Sequence, residues 1–327
     1  MNIVKAQHSS ASSVATAFAA SFGAVGRSTP VKRKPRLSNA ATTGIGFFLP
    51  FAVLFLATVV VPLVYAIYLS GFQSRFVGGE VFVGLGNYLR AISDTALLTG
   101  LLRVVGFMAL QIPIMLGLAV IISIVIDSGR LHFPAVFRLG IFIPYAIPSV
   151  VAALMWGYIY GSQFGLVGQT AALLGQPAPD LLSKQWMIPS MANISIWQYT
   201  GYNMLIFYAG LQSIPREIYE AADIDGAGEF TKAWHIKLPA LRPALFLSLF
   251  FSVIGGIQLF TEPSILQSLA PTTIVSDYTP ALYMYNLAVK SSQYEYAAAL
   301  AVTLGGATII AVAIVQVVLG RNARRAG

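Results

Sequence analysis

The sequence contains no cysteine. Disulfides, thiolate metal centres and cysteine nucleophiles are therefore excluded, and nothing in the composition bears on the redox compartment. Charge is scarce as well. Asp, Glu, Lys and Arg together make up 10% of the 327 residues, where a soluble domain carries about 25%. No G-x-x-x-x-G-K-[ST] phosphate loop occurs, so the chain has no visible site of its own for ATP hydrolysis. His8, His132 and His235 are scattered without H-E-x-x-H or comparable metal spacing, and no serine sits in a G-x-S-x-G elbow. These absences disfavour an integral membrane enzyme.

What the chain has instead is apolar length. Hydrophobic residues make up 57% of it, with a mean hydropathy of +0.74. A bilayer core about 30 Å thick requires roughly 20 apolar residues per helix. Six stretches meet that requirement, at 44–70, 98–126, 138–161, 191–212, 244–262 and 296–319. They predict an all-α membrane protein with six transmembrane helices.

Orientation follows from Lys and Arg, which accumulate on the cytoplasmic side. Lys5, Arg27, Lys32, Arg33, Lys34 and Arg36 precede the first stretch, Arg130 and Arg138 follow the second, and Arg216, Lys232, Lys237 and Arg242 follow the fourth. Arg321, Arg324 and Arg325 follow the sixth. The alternate segments hold only Arg75, Arg90, Lys184 and Lys290. Both termini are therefore expected in the cytoplasm, and the net charge of +8 reads as a topology signal, not as a nucleic-acid footprint. Residues 1–43 are expected to form a disordered or lightly amphipathic cytoplasmic tail, because the basic run VKRKPR follows the weakly apolar part, the reverse of a signal peptide. Residues 44–320 would form the membrane domain and 321–327 a basic cytoplasmic tail.

Ionisable residues are missing from the middle of the apolar stretches. Arg103, Arg138 and Glu262 fall near their ends, where the heads are expected to reach an interface. Proton-coupled carriers keep acids or histidines at mid-membrane, where charge is costly and retained for function. Their absence disfavours such a carrier.

One polar island interrupts this pattern. Residues 220–243 read EAADIDGAGEFTKAWHIKLPALRP, in a segment whose flanks place it in the cytoplasm. Ser213 is a plausible N-cap and Pro215 suits a first helical turn. Ile218, Ala221 and Ala222 share one face at helical spacing, and Gly226 permits a left-handed turn. A second short helix through GEFTKAWHI is expected, ended by Pro239 and Pro243. A bare connector is the competing reading, but long loops are usually functional or disordered, and this one is well punctuated. It suits docking to a cytoplasmic partner.

The pattern Glu220-Ala221-Ala222, three residues, Gly226, nine residues, Ile236-x-Leu238-Pro239 resembles the EAA loop of permeases from binding-protein-dependent ABC importers. FVGLGNY at 82–88 and RLGIFIPYAIPSVVAALMWGYIY at 138–160 are similar to the MalF/UgpA type of carbohydrate permease. The resemblance covers roughly 44–320. It implies a type I ABC importer (MetI-like) permease fold whose loop couples to an ATPase through Glu220, Ala221, Ala222, Asp225, Gly226, Ile236, Leu238 and Pro239. It implies as partners a second permease of similar fold, an ATP-binding cassette ATPase dimer, an extracytoplasmic solute-binding protein and a sugar-like substrate. No cofactor is implied for this chain, ATP and Mg being used by the ATPase.

Sugars are held by aromatic faces together with amide or hydroxyl groups, and transporter sites lie near mid-membrane where helices are interrupted. The fourth stretch supplies SIWQYTGYN and the fifth GGIQLF. Counted from the EAA motif, Ser195, Tyr199, Tyr202, Gly255 and Gln258 match positions that line the sugar path in MalF-like permeases, although the amino acids mostly differ. Trp197 and Asn203 have helix packing as their competing reading. The implied solute is an oligosaccharide, a disaccharide or a glycerol phosphate derivative. A secondary carrier or channel that works unaided is the alternative, and it leaves the polar island without a purpose.

Overall fold

The structure is a computed structural model that describes residues 40–75 and 78–325. The expected N-terminal tail lies outside the described residues up to position 39. The chain divides into two units, Met1–Val61 and Pro62–Gly327.

In the first unit, helix α1 (Ala40–Phe55) passes into a five-residue π turn, Leu56–Val60. It is rich in phenylalanine, with Phe48 and Phe51 packed at 5.8 Å and Phe51 and Phe55 stacked at 6.0 Å between ring centroids. The apolar stretch Gly44–Leu69, which ends in α2 (Val61–Leu69), has none of its most apolar residues buried in protein. Its length and composition are those of a membrane-spanning helix.

The second unit holds a hairpin, β1 (Phe72–Arg75) and β2 (Gly79–Phe82), paired antiparallel with Phe72 opposite Phe82. Helix α3 (Gly86–Ser93) leads into α4 (Thr95–Asp127), 33 residues long. Asp94 caps α4 by accepting from the backbone N–H groups of Ala96 and Leu97, which satisfies two of the orphan donors at a helix start. Helices α5 (Pro134–Ala146) and α6 (Ser149–Ile159) are bent by 95° to one another. Pro148 enforces the bend, because the residue before a proline is driven out of the helical region. Ile147 is accordingly extended, at φ −80° and ψ 128°, and its freed carbonyl accepts from Gln198 Nε2 at 2.7 Å.

After α7 (Leu166–Leu173) comes α8 (Met187–Leu211), the central post of the unit. Met187, Met191, Ile194, Met204 and Phe207 on it are at most 1% exposed. They pack on Val104, Phe107, Met115 and Ala119 of α4. Gly201 lets α8 approach α5 closely, since a Cβ there would sit 2.0 Å from the Ile141 carbonyl oxygen. The chain continues through α9 (Arg216–Ile224), α10 (Glu229–Lys232), a π turn at Ala233–Lys237 and α11 (Leu238–Ala240). It then enters α12 (Arg242–Ile257), α13 (Thr261–Leu266) and α14 (Pro280–Tyr285), and ends in α15 (Tyr294–Arg325).

Helices stand at all six apolar stretches. Four are long and apolar enough to cross a membrane, namely Gly44–Leu69, Thr95–Asp127, Arg242–Leu266 and Tyr294–Ile314, and the bent α5–α6 pair counted as one makes five. The stretch at 191–212 falls short of that apolarity because α8 carries Ser190, Ser195, Gln198, Thr200 and Asn203, all buried against protein. The expected basic tail from 321 is helical through Arg325.

Candidate functional site

Helix α12 ends where Gly255-Gly256 precedes the break at Gln258, Leu259 and Phe260. The carbonyl of Leu259, freed by the break, accepts from Thr279 Oγ1 at 2.9 Å. Between this break, α8, α4 and the start of α6 lies a cavity of about 350 Å³. Ser195, Tyr199, Tyr202, Gly255 and Gln258, taken from two helices about 60 residues apart, all line it. A volume of roughly 300–1,000 Å³ with convergent polar groups is what a small-molecule site requires. Tyr202 stacks on Tyr145 at 4.7 Å between ring centroids, and Tyr199 meets Tyr145 edge-on at 5.9 Å. Together they form an aromatic wall. Asn203 also lines the cavity, donating to the Tyr199 carbonyl at 3.0 Å. Trp197 does not. It packs against Trp156 at 5.7 Å, as its competing reading held.

Glu262 departs from expectation. It was placed near a helix end with its head at an interface, but it is 7% exposed and lines the cavity. Ser195 Oγ donates to its Oε1 at 2.8 Å. The cause is the break, which turns α13 so that its first turn faces α8. A buried ionisable group within the stretch Arg242–Leu266 also removes the argument that such groups are absent. Arg103 is likewise occupied by protein, donating to the Tyr278 carbonyl at 3.2 Å and lying over its ring at 4.7 Å.

The polar island folds as α9, a left-handed turn at Gly226 with φ +75°, and α10. Ser213 does not cap α9. Its hydroxyl donates to the Gly210 carbonyl at 2.7 Å, at the close of α8, and Pro215 occupies the cap position. Pro239 and Pro243 do not end the second helix either. Each sits in the first turn of the next one, α11 and α12, where its missing N–H costs no bond. Glu220, Ala221, Asp225 and Gly226 are exposed, and Ala222, Ile236, Leu238 and Pro239 are half-buried. Exposed apolar residues stand beside the motif, with Ile224 87%, Phe230 80% and Trp234 60% exposed. Phe230 and Trp234 stack at 6.4 Å.

Ion pairs hold this loop. Lys232 Nζ lies 2.8 Å from both Asp223 and Glu229. The hydrogen bond from Lys232 holds the Glu229 carboxyl below its ordinary pKa, and those to Asp223 and Glu229 hold Lys232 above its own. Lys237 Nζ lies 2.6 Å from Asp127 Oδ2 at the end of α4, and Gln212 donates to the same carboxylate at 2.8 Å. Burial, reinforced by the Asp127 charge, pushes the Tyr219 hydroxyl up to about 12.

Tyr145, Ser149, Gln111 and Ser252 line the cavity without having been singled out in the sequence, and Glu262 lines it although the sequence pointed to it only as an interfacial charge. Only Tyr145 carried a signal, as it lies between Pro144 and Pro148. Among the described residues, no three His, Asp or Glu side chains gather as a metal site.

The family described as binding-protein-dependent transport system inner membrane component matches residues 132–325. The chain is 31% identical over 262 residues to the arabinooligosaccharides transport system permease protein AraP of Bacillus subtilis, covering 79% of this chain and 82% of that protein. It is 32% identical to the lactose transport system permease protein LacF of Rhizobium radiobacter, covering 66% and 74%. A solved bacterial ABC transporter involved in import of the acidic polysaccharide alginate superposes with a TM-score of 0.76 at 18% identity, covering 86% of this chain and 96% of that one. That likeness fixes the fold. The chain belongs to the family of binding-protein-dependent transport system inner membrane components, as a multi-pass permease subunit of an importer.

Proposed function

We propose that this permease forms half of the translocation pathway for a sugar or sugar-like solute, such as an oligosaccharide, a disaccharide or a glycerol phosphate derivative. It works with a second permease of similar fold, an ATP-binding cassette ATPase dimer that hydrolyses ATP with Mg, and an extracytoplasmic solute-binding protein. The chain itself is non-catalytic. It crosses the bacterial plasma membrane six times, with both termini in the cytoplasm.

The observation that carries the reading is the convergence of Ser195, Tyr199, Tyr202, Gly255 and Gln258 on one aromatic-walled cavity. Relatives named for transport of arabinooligosaccharides, lactose, diacetylchitobiose and trehalose/maltose support the solute class. The topology has independent support. The segments expected in the cytoplasm meet through Asp127–Lys237 and Arg130–Glu229. Those expected outside meet through Asp94, which accepts from Tyr283 and Tyr296, with Arg90 over the Tyr296 ring at 3.8 Å. The exposed face of α9 and α10, with Glu220, Ala221, Asp225 and Gly226 and the half-buried Ala222 at its edge, is then the surface that enters the ATPase. Ile236, Leu238 and Pro239 flank Lys237, whose pair with Asp127 ties the loop to α4.

The test is uptake. Cells lacking the gene, with and without the restored chain, are compared for energy-dependent accumulation of labelled lactose, trehalose, maltose, arabinooligosaccharides and glycerol phosphate. Loss and recovery for a member of the panel is expected. Unchanged uptake of every member overturns the solute class.

A further inference from the structure

Of the residues lining the cavity, Glu262 alone is acidic, and none is Lys, Arg or His. Among the described residues no lysine or arginine comes within ion-pair distance of it. Its recorded side-chain partner is the Ser195 hydroxyl, on Oε1, although a carboxylate offers about four acceptor positions. Both residues are nearly fully buried, Glu262 at 7% and Ser195 at 4% exposed. Burying a carboxyl without a cation is costly, and an ionisable group inside a membrane segment marks a solute or ion pathway by default. The place of Glu262 in the first turn of α13, where it also accepts from its own backbone N–H, supplies hydrogen bonds but no counter-charge. Tyr145, Tyr199, Tyr202 and Ser252 are neutral, and the neighbouring backbone break is already satisfied by Thr279.

We propose that Glu262 sets the charge class of the solute. Its acceptor oxygens receive hydroxyl or ammonium donors from an uncharged or amino sugar. A phosphorylated, sulfonated or uronic sugar brings an anion to a wall that offers it acceptor oxygens and no Lys, Arg or His to pair with, and it is turned away. The inference rests on the reading of the cavity as the solute path, and it narrows that reading by removing glycerol phosphate derivatives from the candidates.

The absence of native cysteine makes the test direct. Ser252→Cys, a near-isosteric change in the cavity wall, is introduced into the assembled importer in native membranes. Its modification is followed with two methanethiosulfonate reagents, one carrying trimethylammonium and one carrying sulfonate, as a mass shift of this chain. The cationic reagent is expected to react faster than the anionic one, relative to their rates with a free thiol. Glu262→Gln should lower that ratio at least about fivefold, and Glu262→Asp should retain it. If Glu262→Gln fails to accumulate, Glu262→Met, uncharged and of similar size, replaces it.

A ratio that is the same with and without the carboxyl overturns the proposal, as does a thiol that neither reagent reaches. An importer that still assembles and transports a panel sugar while showing no charge preference defeats only the role of Glu262. Unchanged uptake of the whole panel defeats the solute reading itself.

Discussion

Lys237 Nζ lies 2.6 Å from Asp127 Oδ2, with the two side chains only 4% and 7% exposed. The pair joins the last turn of a long membrane helix to the segment that carries the Ile236-x-Leu238-Pro239 end of the polar loop. The same helix lines the cavity with Phe107, Gln111 and Met115, so the pair is the contact through which movement of the proposed coupling loop would reach the cavity.

Removing one partner of a buried pair leaves an uncompensated charge, at a cost of about 3–5 kcal/mol. Asp127→Ala is expected to destabilise the chain by about that amount, read by denaturant titration in detergent. Asp127→Ala combined with Lys237→Met should be clearly milder than Asp127→Ala alone. A loss below about 1 kcal/mol for the single variant would show that the pair is exposed to water.

The Lys232 cluster predicts how the loop answers to pH. Glu229 is held below its ordinary value, so its contribution is complete above about pH 5 and is lost as pH falls through its lowered pKa. Lys232 is held above its ordinary value, so its contribution is complete below about pH 10 and is lost as pH rises through its raised pKa. Hydrogen exchange corrected for intrinsic rates should show flat protection of 216–240 between those limits and a drop below about pH 4. Glu229→Gln should abolish the acid drop. A drop that persists unchanged in this variant would rule Glu229 out as its source.

Phe230 and Trp234 form a stacked, exposed apolar pair on the loop. If this surface enters the ATPase, truncation of a central aromatic anchor costs about 2 kcal/mol or more, roughly thirtyfold in affinity. Phe230→Ala or Trp234→Ala should weaken ATPase capture accordingly while leaving thermal stability in detergent within a degree or two. Full retention of the ATPase would remove these rings from the interface.

Gly201→Ala introduces a methyl group that would lie 2.0 Å from the Ile141 carbonyl oxygen. Backbone cannot yield as a flexible side chain can, and overpacking of this kind costs about 1–3 kcal/mol. A lowered denaturation midpoint is expected, together with altered reactivity of a thiol at Ser252, since α5 and α8 both border the cavity. An unchanged midpoint would mean that the two helices separate freely.

The helices were legible because apolar length in a membrane is a local property of sequence. The left-handed turn at Gly226 was legible for a similar reason, since it depends on one residue type. The fate of the prolines was legible only in part. Pro148 lies inside the stretch 138–161 expected as one helix, and the 95° bend it produces there is stabilised by Gln198, some 50 residues away. Pro239 and Pro243 suit a helix stop and a helix start equally well in sequence, and tertiary packing decides between the two. The cavity residues on α8 and α12 came through resemblance to relatives. Glu262 escaped because its burial depends on the break at Gln258–Phe260 and on Ser195, 67 positions earlier. The Asp127–Lys237 pair escaped for the same reason, as periodicity carries no information about contacts of that range.

The most direct measurement is capture of the tagged chain from its native membranes in mild detergent, with partners identified by mass spectrometry and Gly226→Asp as the comparison. Gly226 adopts φ +75° with open space around it. A side chain there therefore strains the turn by about 1–2 kcal/mol and adds a charge without disturbing the membrane helices. The account predicts an ATPase and a second permease with the natural chain, and loss of the ATPase alone with the variant. Recovery of the chain without partners, equally in both forms and in several detergents, would contradict it.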